Sequence, residues 1–253
     1  MKKFISFSGG VESTTMCLLF GKDADAIFAD TGFEHKLLYD RLDKVEQKIR
    51  DFHQNDFKII RIQSKHGSLK DYIKKQKYYP SFQARFCTRM FKIEPIDDFL
   101  KQFKEEGVEL MIGLNADETE RTGNHGNLKF VQYSYPLIKN GINRATCEEL
   151  LRKSGLHPEF PVYMRRGGCV GCFYKSKNEY EAMIHLSPEE FDEVAELEES
   201  IQDARGEFYT IKKDMGKLKM FKQSVLDQKL LFDPKSVYTT VNHETSCGVF
   251  CNR

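Results

Sequence analysis

Residues 2–19 read KKFISFSGGVESTTMCLL, and this stretch decides the fold. Residues 4–7, Phe-Ile-Ser-Phe, form a run rich in apolar, β-branched and aromatic side chains, which predicts a buried first strand. A turn with two adjacent glycines follows at 8–13, and residues 14–20 predict a helix. The unpaired N–H groups at such a helix start converge on one point, where the helix dipole favours an anion. The stretch therefore predicts a loop that binds phosphate or sulfate.

The predicted anion loop offers both backbone and side-chain donors. Its residues are Ser8, Gly9, Gly10, Val11, Glu12, Ser13 and Thr14. The two glycines let the backbone approach a ligand closely, and the hydroxyls of Ser8, Ser13 and Thr14 reach phosphate or sulfate oxygens. No Gly-Lys-Ser or Gly-Lys-Thr follows, so the loop is not of the Walker type.

Beyond the loop, the chain alternates between strand-like and helical patterns. Further strands are predicted at residues 25–29, 57–62 and 108–114. Helical patterns separate them, with apolar residues at helical spacing in the first (Leu38, Leu42, Val45 and Ile49) and further helices at 69–75 and from 95 to about 104. This alternation predicts an α/β fold with a doubly wound parallel sheet. The polar loops at 8–13, 30–34 and 115–121 would then meet at the carboxyl ends of the strands, where such sheets bind ligands.

The composition narrows the classes of function. The 253 residues carry a net charge of +1, so no overall charge field favours nucleic acid or a membrane. Arg165, Arg166 and the stretch 212–222 are the local basic patches that a nucleic acid would contact. No apolar run approaches the roughly 20 residues of a membrane helix, and the first residues lack the core of a signal peptide. We therefore expect a cytoplasmic protein without membrane contact.

The loop pattern, strand-Ser-Gly-Gly-x-acidic-Ser-helix, resembles the pyrophosphate loop of the adenine nucleotide alpha-hydrolase superfamily. That superfamily includes ATP pyrophosphatases, thiolation enzymes and the sulfonucleotide reductases, which act on 3′-phosphoadenosine 5′-phosphosulfate (PAPS) or adenosine 5′-phosphosulfate (APS). The resemblance implies an adenine nucleotide as ligand. Glu12 stands where the ATP-cleaving members carry Asp, so both ATP (with Mg²⁺) and PAPS or APS stay open as the nucleotide.

Four further blocks, in the family's order, resemble the sulfonucleotide reductase branch. They are Asp-Thr-Gly-Phe-Glu at 30–34, Cys-Thr-Arg-Met-Phe-Lys-Ile-Glu-Pro at 87–95, Gly-Leu-Asn-Ala-Asp-Glu-Thr-Glu-Arg at 113–121, and the segment from Tyr-Pro-Leu at 135–137 to Gly-Cys-Val-Gly-Cys at 168–172. With the loop, they span residues 2–175. The alternation of strands and helices ends after Tyr135-Pro136. We therefore expect a nucleotide-binding domain over 1–135 and, over 136–253, a helical annex with a cysteine-containing tail, packed on the same site.

The resemblance assigns roles to residues in these blocks. The nucleotide contacts that it implies are Asp30, Thr31, Gly32, Glu34, Gly113 and Glu118. The two acids at 30 and 34 would accept hydrogen bonds from ribose hydroxyls or the adenine amine. Lys92 and Arg121 are the implied catalytic cations, because they compensate the charge of phosphate or sulfate oxygens. We expect Glu118 to orient Arg121.

Seven cysteines in a cytoplasmic protein favour metal or redox chemistry over disulfides. Cys17 and Cys147 lie in helical patterns and are predicted core residues. Cys169-x-x-Cys172 places two thiolates where one metal ion or cluster can bind both. The resemblance implies a 4Fe-4S cluster with Cys87 as a third ligand, and Thr88 stands where the resembling reductases carry a second adjacent cysteine. Either a tail cysteine supplies the fourth ligand, for which Cys251 is the first candidate and Cys247 the alternative, or a three-cysteine cluster keeps one iron open. A zinc site with four cysteine ligands is the structural alternative.

The resemblance leaves three functions open. In the first, PAPS or APS binds, Cys247 attacks its sulfur, and a thiol reductant releases sulfite. The tail around Cys247 carries neither the Glu nor the His that flanks this cysteine in the reductases. In the second, ATP is cleaved to pyrophosphate and an acceptor such as nucleic acid receives sulfur from a sulfur donor. In the third, the chain is a nucleotide-binding protein without turnover, and its cysteines hold structural zinc.

Overall fold

In a computed structural model that describes residues 1–122, 128–165, 167–205 and 209–227, five parallel strands form one sheet. They are β1 (Lys2–Phe7), β2 (Asp25–Asp30), β3 (Ile59–Gln63), β4 (Val108–Met111) and β5 (Val131–Ser134), in the order β3-β2-β1-β4-β5. β1 pairs with β2 on one side and with β4 on the other. The winding direction reverses at this central strand, which is where doubly wound sheets open a ligand crevice. The predicted fold class is confirmed.

The helices connect the strands and then continue beyond the sheet. In the sheet region they are α1 (Val11–Phe20), α2 (Lys36–His53), α3 (Leu69–Gln76), the single turn α4 (Phe86–Thr88) and α5 (Glu94–Leu100). A π-helical turn, Arg89–Ile93, joins α4 to α5, and short 3-10 turns occur at Lys101–Phe103, Ala116–Arg121 and Val162–Met164. The annex contains α6 (Pro136–Lys139), α7 (Arg144–Lys153), α8 (Lys177–Leu186), α9 (Pro188–Arg205) and α10 (Leu218–Leu226).

Apolar side chains cover both faces of the sheet. On one face, α5 and the strands bury Phe4, Ile96, Leu100 and their neighbours. On the other face, α1 and α2 share one continuous core with the annex, which includes Leu38 and Met164. α7 packs directly against α1, the helix that follows the predicted anion loop. The annex is therefore held against the functional edge of the sheet by the same core that stabilises the sheet.

Several element bounds differ from those expected. β5 was not predicted, because its four residues include polar Gln132 and Ser134 and lie half-buried at the sheet edge. β4 ends at Met111, and β3 begins at Ile59. α7 begins at Arg144, because the Asn143 side chain accepts a hydrogen bond from the Thr146 N–H (3.0 Å) and caps the helix there. Among the helices in the described ranges, none is long and apolar enough to cross a bilayer.

Candidate functional site

The loop between β1 and α1 is closed by its own polar groups. The Ser8 N–H donates to the Ser13 hydroxyl (3.2 Å), and the two hydroxyls lie 3.2 Å apart. The Thr14 hydroxyl donates to the Gly10 carbonyl (2.7 Å). Gly9 has φ +78°, and a Cβ there would lie 2.3 Å from Leu38 Cδ1, so only glycine fits. The loop is thus preformed at the start of α1, where the first N–H groups have no partner within the helix.

A buried guanidinium supports this loop from α2. Arg41 donates from Nε to the Gly9 carbonyl (3.1 Å) and from Nη2 to the Thr14 hydroxyl (3.2 Å) and the Leu156 carbonyl (2.6 Å). Burial lowers the pKa of Arg41 to about 10, which still leaves it charged at neutral pH. No carboxylate in the described part of the chain pairs with it, so its positive charge adds to the field of the loop. No local pattern in the sequence predicts this role of Arg41.

The carboxylate of Glu12 points away from solvent and is held by two donors. Arg144 Nη1 lies 2.6 Å from Glu12 Oε1, and Asn115 Nδ2 lies 3.2 Å from the same oxygen. Asn115 Nδ2 also donates to Glu118 Oε2 (3.0 Å), and Glu118 pairs with Arg121. The expectation that Glu118 orients Arg121 agrees with this ion pair. One network therefore joins the anion loop to the 3-10 turn after β4 and to the start of α7.

Gly113 lies directly behind the anion loop. A Cβ at this position would lie 3.3 Å from the Glu12 carbonyl carbon and 3.3 Å from the Ser13 nitrogen. These distances are tighter than ordinary contacts, so a side chain at 113 would push the loop. Gly113 acts on the predicted nucleotide site by close packing.

The Asp30 carboxylate shapes the turn after β2. Its Oδ1 accepts hydrogen bonds from the Gly32 N–H (2.8 Å) and the Tyr39 hydroxyl (2.6 Å), and its Oδ2 accepts from Gln63 Nε2 (3.2 Å). These are contacts within the turn and its neighbours. Asp30 therefore positions the turn, and the second acid of the block is the one that reaches the pocket.

Glu34 lines the pocket and touches the cysteine-bearing loop. The Thr31 hydroxyl donates to Glu34 Oε1 (2.8 Å), and the Glu34 backbone forms an antiparallel bridge with Cys169. Burial raises the pKa of Glu34, while the Lys92 charge and the Thr31 hydrogen bond act to lower it. The side chain is thus placed between the end of β2 and the predicted metal ligands.

One pocket lies between the anion loop and the annex. Of the predicted site residues, those that line it are Ser8, Gly10, Val11, Glu34 and Lys92. Lining residues that the sequence analysis did not assign include Phe28, Leu38, Arg144, Phe160, Met164, Arg165 and Gly168. The aromatic and aliphatic members suit an adenine ring, and the cations suit its phosphate or sulfate groups.

The other predicted residues stand behind or beside this pocket. These residues hold the residues that line the pocket in place, through hydrogen bonds, ion pairs or close packing. They are Gly9, Glu12, Ser13, Thr14, Asp30, Thr31, Gly32, Gly113, Glu118 and Arg121. Cys247 and Cys251 lie outside the described residues. Cys17 and Cys147 are buried in the core, which confirms that prediction.

The positive charge of Lys92, which lies on the π-helical turn after α4, acts on three cysteine thiols. Burial raises the pKa of each thiol, and the Lys92 charge lowers the pKa of Cys87, Cys169 and Cys172. For Cys169, the charges of Glu34 and of the other two cysteines add to the rise. π-Helical turns often occur at functional sites, because they aim one side chain out of helical register. Here that side chain is a lysine shared by the pocket and the thiols.

The cysteine-bearing loop is tied to the sheet by backbone hydrogen bonds. The His35 N–H donates to the Gly168 carbonyl (2.6 Å), and the Val170 N–H donates to the Phe33 carbonyl (2.9 Å). Lys175 follows three residues after Cys172, is fully buried, and donates from its amine to the Tyr163 carbonyl. Its charge also lowers the pKa of Cys172. Lys175 is not among the predicted site residues, although it follows the Cys-x-x-Cys pair by only three residues.

The chemistry of the three thiols is compatible with a thiolate-bound cluster, and the described residues form no site for a single metal ion. Three half-buried thiols with two lysines nearby match the chemistry of a negatively charged cluster of iron and sulfur. Within the described ranges, no three His, Cys, Asp or Glu side chains gather around one point as ligands of a single metal ion.

Among the comparisons with known proteins, one family model matches more than half of the chain. The model of the phosphoadenosine phosphosulfate reductase domain matches residues 2–137. Two uncharacterized proteins of Methanocaldococcus jannaschii are 31% identical over 121 residues and 32% identical over 102 residues, which are 46% and 39% of this chain. The aligned part spans only 23% of each, about a quarter of the length of these curated relatives. A crystal structure of phosphoadenylyl-sulfate (PAPS) reductase from Candida auris, a phosphate complex, is similar with a TM-score of 0.46 and 16% identity, covering 61% of this chain and 73% of that one.

Proposed function

The chain belongs to the phosphoadenosine phosphosulfate reductase domain family, and from this membership we propose that it is an enzyme that binds an adenine nucleotide at its anion loop and carries out sulfur chemistry at the cysteines. The observation that carries the proposal is the position of Lys92. Its side chain lines the pocket beside the anion loop, and its charge acts on Cys87, Cys169 and Cys172. A nucleotide in this pocket would therefore present its anionic group to a lysine that also serves the thiols.

The pocket supports one orientation of the nucleotide. The adenine would lie against the apolar side chains of Leu38, Phe160 and Met164, and the phosphate against the loop at Ser8 and Gly10. The loop N–H groups and the charge of Arg41, which pairs with no carboxylate among the described residues, favour an anion at that end. The reacting sulfur would then face Lys92.

For a 5′-phosphosulfate, the proposed reaction is a displacement at sulfur by a cysteine thiolate. A cysteine thiolate attacks the sulfur, an S–S bond forms, the S–O bond to the phosphate breaks, and the nucleoside phosphate leaves. A thiol reductant then attacks the cysteine sulfur and releases sulfite, which leaves a mixed disulfide for a second thiol to reduce. The family resemblance assigns the attack to Cys247. Lys92 would stabilise the negative charge that grows on the leaving phosphate.

An iron–sulfur cluster held by Cys87, Cys169 and Cys172 is part of the proposal. Such a cluster would supply thiolate-bound iron beside the reacting sulfur. Lys92 and Lys175 would offset its negative charge, which is consistent with their effect on the pKa of Cys172.

The test is product formation by anaerobically purified protein. PAPS, APS and ATP would each be supplied with a thiol reductant, and ATP also with sulfide and nucleic acid, while sulfite, pyrophosphate and AMP are measured. We expect sulfite from a phosphosulfate, and a loss of about a hundredfold or more in Lys92→Met, because a single electrostatic donor at a reacting centre is worth about that much. Lys101→Met is the matched control, since Lys101 is 57% exposed and pairs with Asp98 outside the pocket.

The other outcomes assign the other functions. Pyrophosphate released from ATP only with an acceptor would assign the thiolation reaction. Tight nucleotide binding with no product and one zinc per chain would refute the enzymatic proposal and favour a binding protein. An equal loss of sulfite in Lys92→Met and Lys101→Met would refute the role given to Lys92.

A further inference from the structure

The acid of the anion loop is already neutralised within the chain. Glu12 is 3% exposed, and its Oε1 accepts hydrogen bonds from Arg144 (2.6 Å) and Asn115 (3.2 Å). A buried carboxylate beside a phosphate-binding loop repels an anionic ligand unless a cation compensates it. Proteins commonly place Mg²⁺ between one or two carboxylates and the phosphates of a substrate. Here a guanidinium occupies the position next to the carboxylate.

Arg144 is built into the site from the annex. Its backbone begins α7, its Nε donates to Glu148 Oε1 (3.0 Å), and its side chain is 19% exposed and lines the pocket. Burial alone would lower the pKa of Arg144, but the nearby Glu12 and Glu148 carboxylates raise it, so the guanidinium stays charged. Its Nη2 is buried and makes no hydrogen bond to any described residue. A phosphate or sulfate oxygen at the loop is an acceptor that this donor would satisfy.

The second acid beside the loop is balanced in the same way. Asn115 connects Glu12 to Glu118, and Glu118 pairs with Arg121. The two carboxylates of this network are thus each matched by a guanidinium. Side chains alone therefore balance the charge of these two carboxylates.

We infer that the Glu12–Arg144 pair takes the place of a divalent cation at the anion loop, so that the protein binds its nucleotide without Mg²⁺. This inference rests on the proposed function, because it assumes that the pocket holds an adenine nucleotide. It also narrows the substrate class. Enzymes that transfer or cleave ATP phosphates rely on metal ions to neutralise the developing charge, and here the loop carboxylate that could share such an ion is already paired with Arg144. The pair therefore favours a 5′-phosphosulfate over ATP as the reacting nucleotide.

The test measures nucleotide affinity with and without metal. Isothermal titration of PAPS, APS and ATP would be made in excess EDTA and in saturating Mg²⁺, for the wild type, Arg144→Met and Arg144→Lys. For the wild type we expect PAPS or APS affinities in the two buffers to agree within about threefold. Arg144→Met leaves the Glu12 charge uncompensated, so its affinity in EDTA should fall by about tenfold or more and recover in Mg²⁺. Arg144→Lys keeps the charge and should lie between the two.

Arg152→Met is the matched control on the same helix. Arg152 also pairs with Glu148, but it is 55% exposed and does not line the pocket, so its loss should leave both affinities unchanged. Glu12→Gln keeps the inference testable if Arg144→Met does not fold. Removing the negative charge beside the anion should tighten binding severalfold in EDTA, whereas loss of binding in Glu12→Gln would show that the carboxylate is a required metal ligand and would overturn the inference.

The result for the wild type separates this inference from the proposed function. Binding that requires Mg²⁺ would overturn the inference and leave the nucleotide site standing. No binding of any adenine nucleotide in either buffer would overturn the proposed function itself.

Discussion

Replacing Arg41 by methionine removes a positive charge from behind the anion loop while keeping a side chain of similar length. The guanidinium contacts the Gly9 and Leu156 carbonyls and the Thr14 hydroxyl, and none of these partners is an anion. We therefore expect Arg41→Met to weaken binding of charged nucleotides and to have little effect on neutral adenosine.

The magnitude follows from the geometry. Arg41 Nε lies 3.1 Å from the Gly9 carbonyl, so a phosphate on the other side of the loop backbone would be about 7 Å from the guanidinium. At an effective dielectric constant of about 20, two unit charges at that separation attract by about 2 kcal/mol. This corresponds to about thirtyfold in affinity. The lost donors also leave two buried carbonyls less satisfied, which should lower the free energy of unfolding by about 1–2 kcal/mol.

The assay is isothermal titration of adenosine, AMP and PAPS into folded Arg41→Met, checked by thermal unfolding. Arg41→Lys retains the charge and should keep most of the affinity. Arg50→Met is the matched control, because Arg50 lies on the same helix and donates to the Phe57 carbonyl away from the loop. Equal losses for adenosine and PAPS, or an unchanged affinity for PAPS in a folded protein, would refute the electrostatic role of Arg41.

Three further predictions concern the loop, the buried histidine and the cysteines. Gly113→Ala should weaken nucleotide binding by about tenfold and destabilise the fold by ~1 kcal/mol, because its Cβ would crowd the Glu12–Ser13 backbone; equal affinity by titration would contradict the close packing. Burial lowers the pKa of His35 to about 4 from an ordinary 6.5, so the unfolded chain binds a proton that the folded chain does not. In denaturant unfolding, the free energy of unfolding should keep its full His35 contribution above about pH 6.5 and should decrease by up to ~3 kcal/mol toward pH 4. His35→Asn keeps a donor for Glu190 and should flatten this pH dependence. An equally steep curve for His35→Asn would contradict the prediction. In anaerobically purified protein, Cys169→Ser should lose most of about four irons per chain and the absorbance near ~400 nm, whereas Cys147→Ala, altered only in the core, should keep both; retention of iron in Cys169→Ser would remove this cysteine from the ligand set.

The parts of the fold that could be predicted from the sequence depend on local patterns. The strand, glycine turn and helix at residues 2–20 are set by neighbours in the chain, as is the helical spacing of Leu38, Leu42, Val45 and Ile49, all of which are buried. The same applies to the alternation that forms the parallel sheet. Each individual strand, turn or helix among these features is determined by residues that are close to one another in the sequence.

The parts that could not be predicted depend on distant pairs. Arg41 and Leu156 are 115 residues apart, and Arg144 and Glu12 are 132 residues apart. No local pattern distinguishes these arginines from surface cations. The block at residues 30–34 illustrates the same limit, because its sequence offers two acids and only the tertiary structure turns Asp30 toward Tyr39 and Glu34 toward the pocket.

We propose that one pocket, between the anion loop and the cysteine-bearing loop, holds the adenine nucleotide. Photolabelling with 8-azido-ATP, followed by peptide mass spectrometry, tests this most directly. The account predicts saturable labelling of peptides containing residues 28–38 and 160–168, removed by unlabelled PAPS. Labelling of the separate groove lined by Ser64, Met90 and Phe99, or labelling that PAPS does not compete, would contradict it.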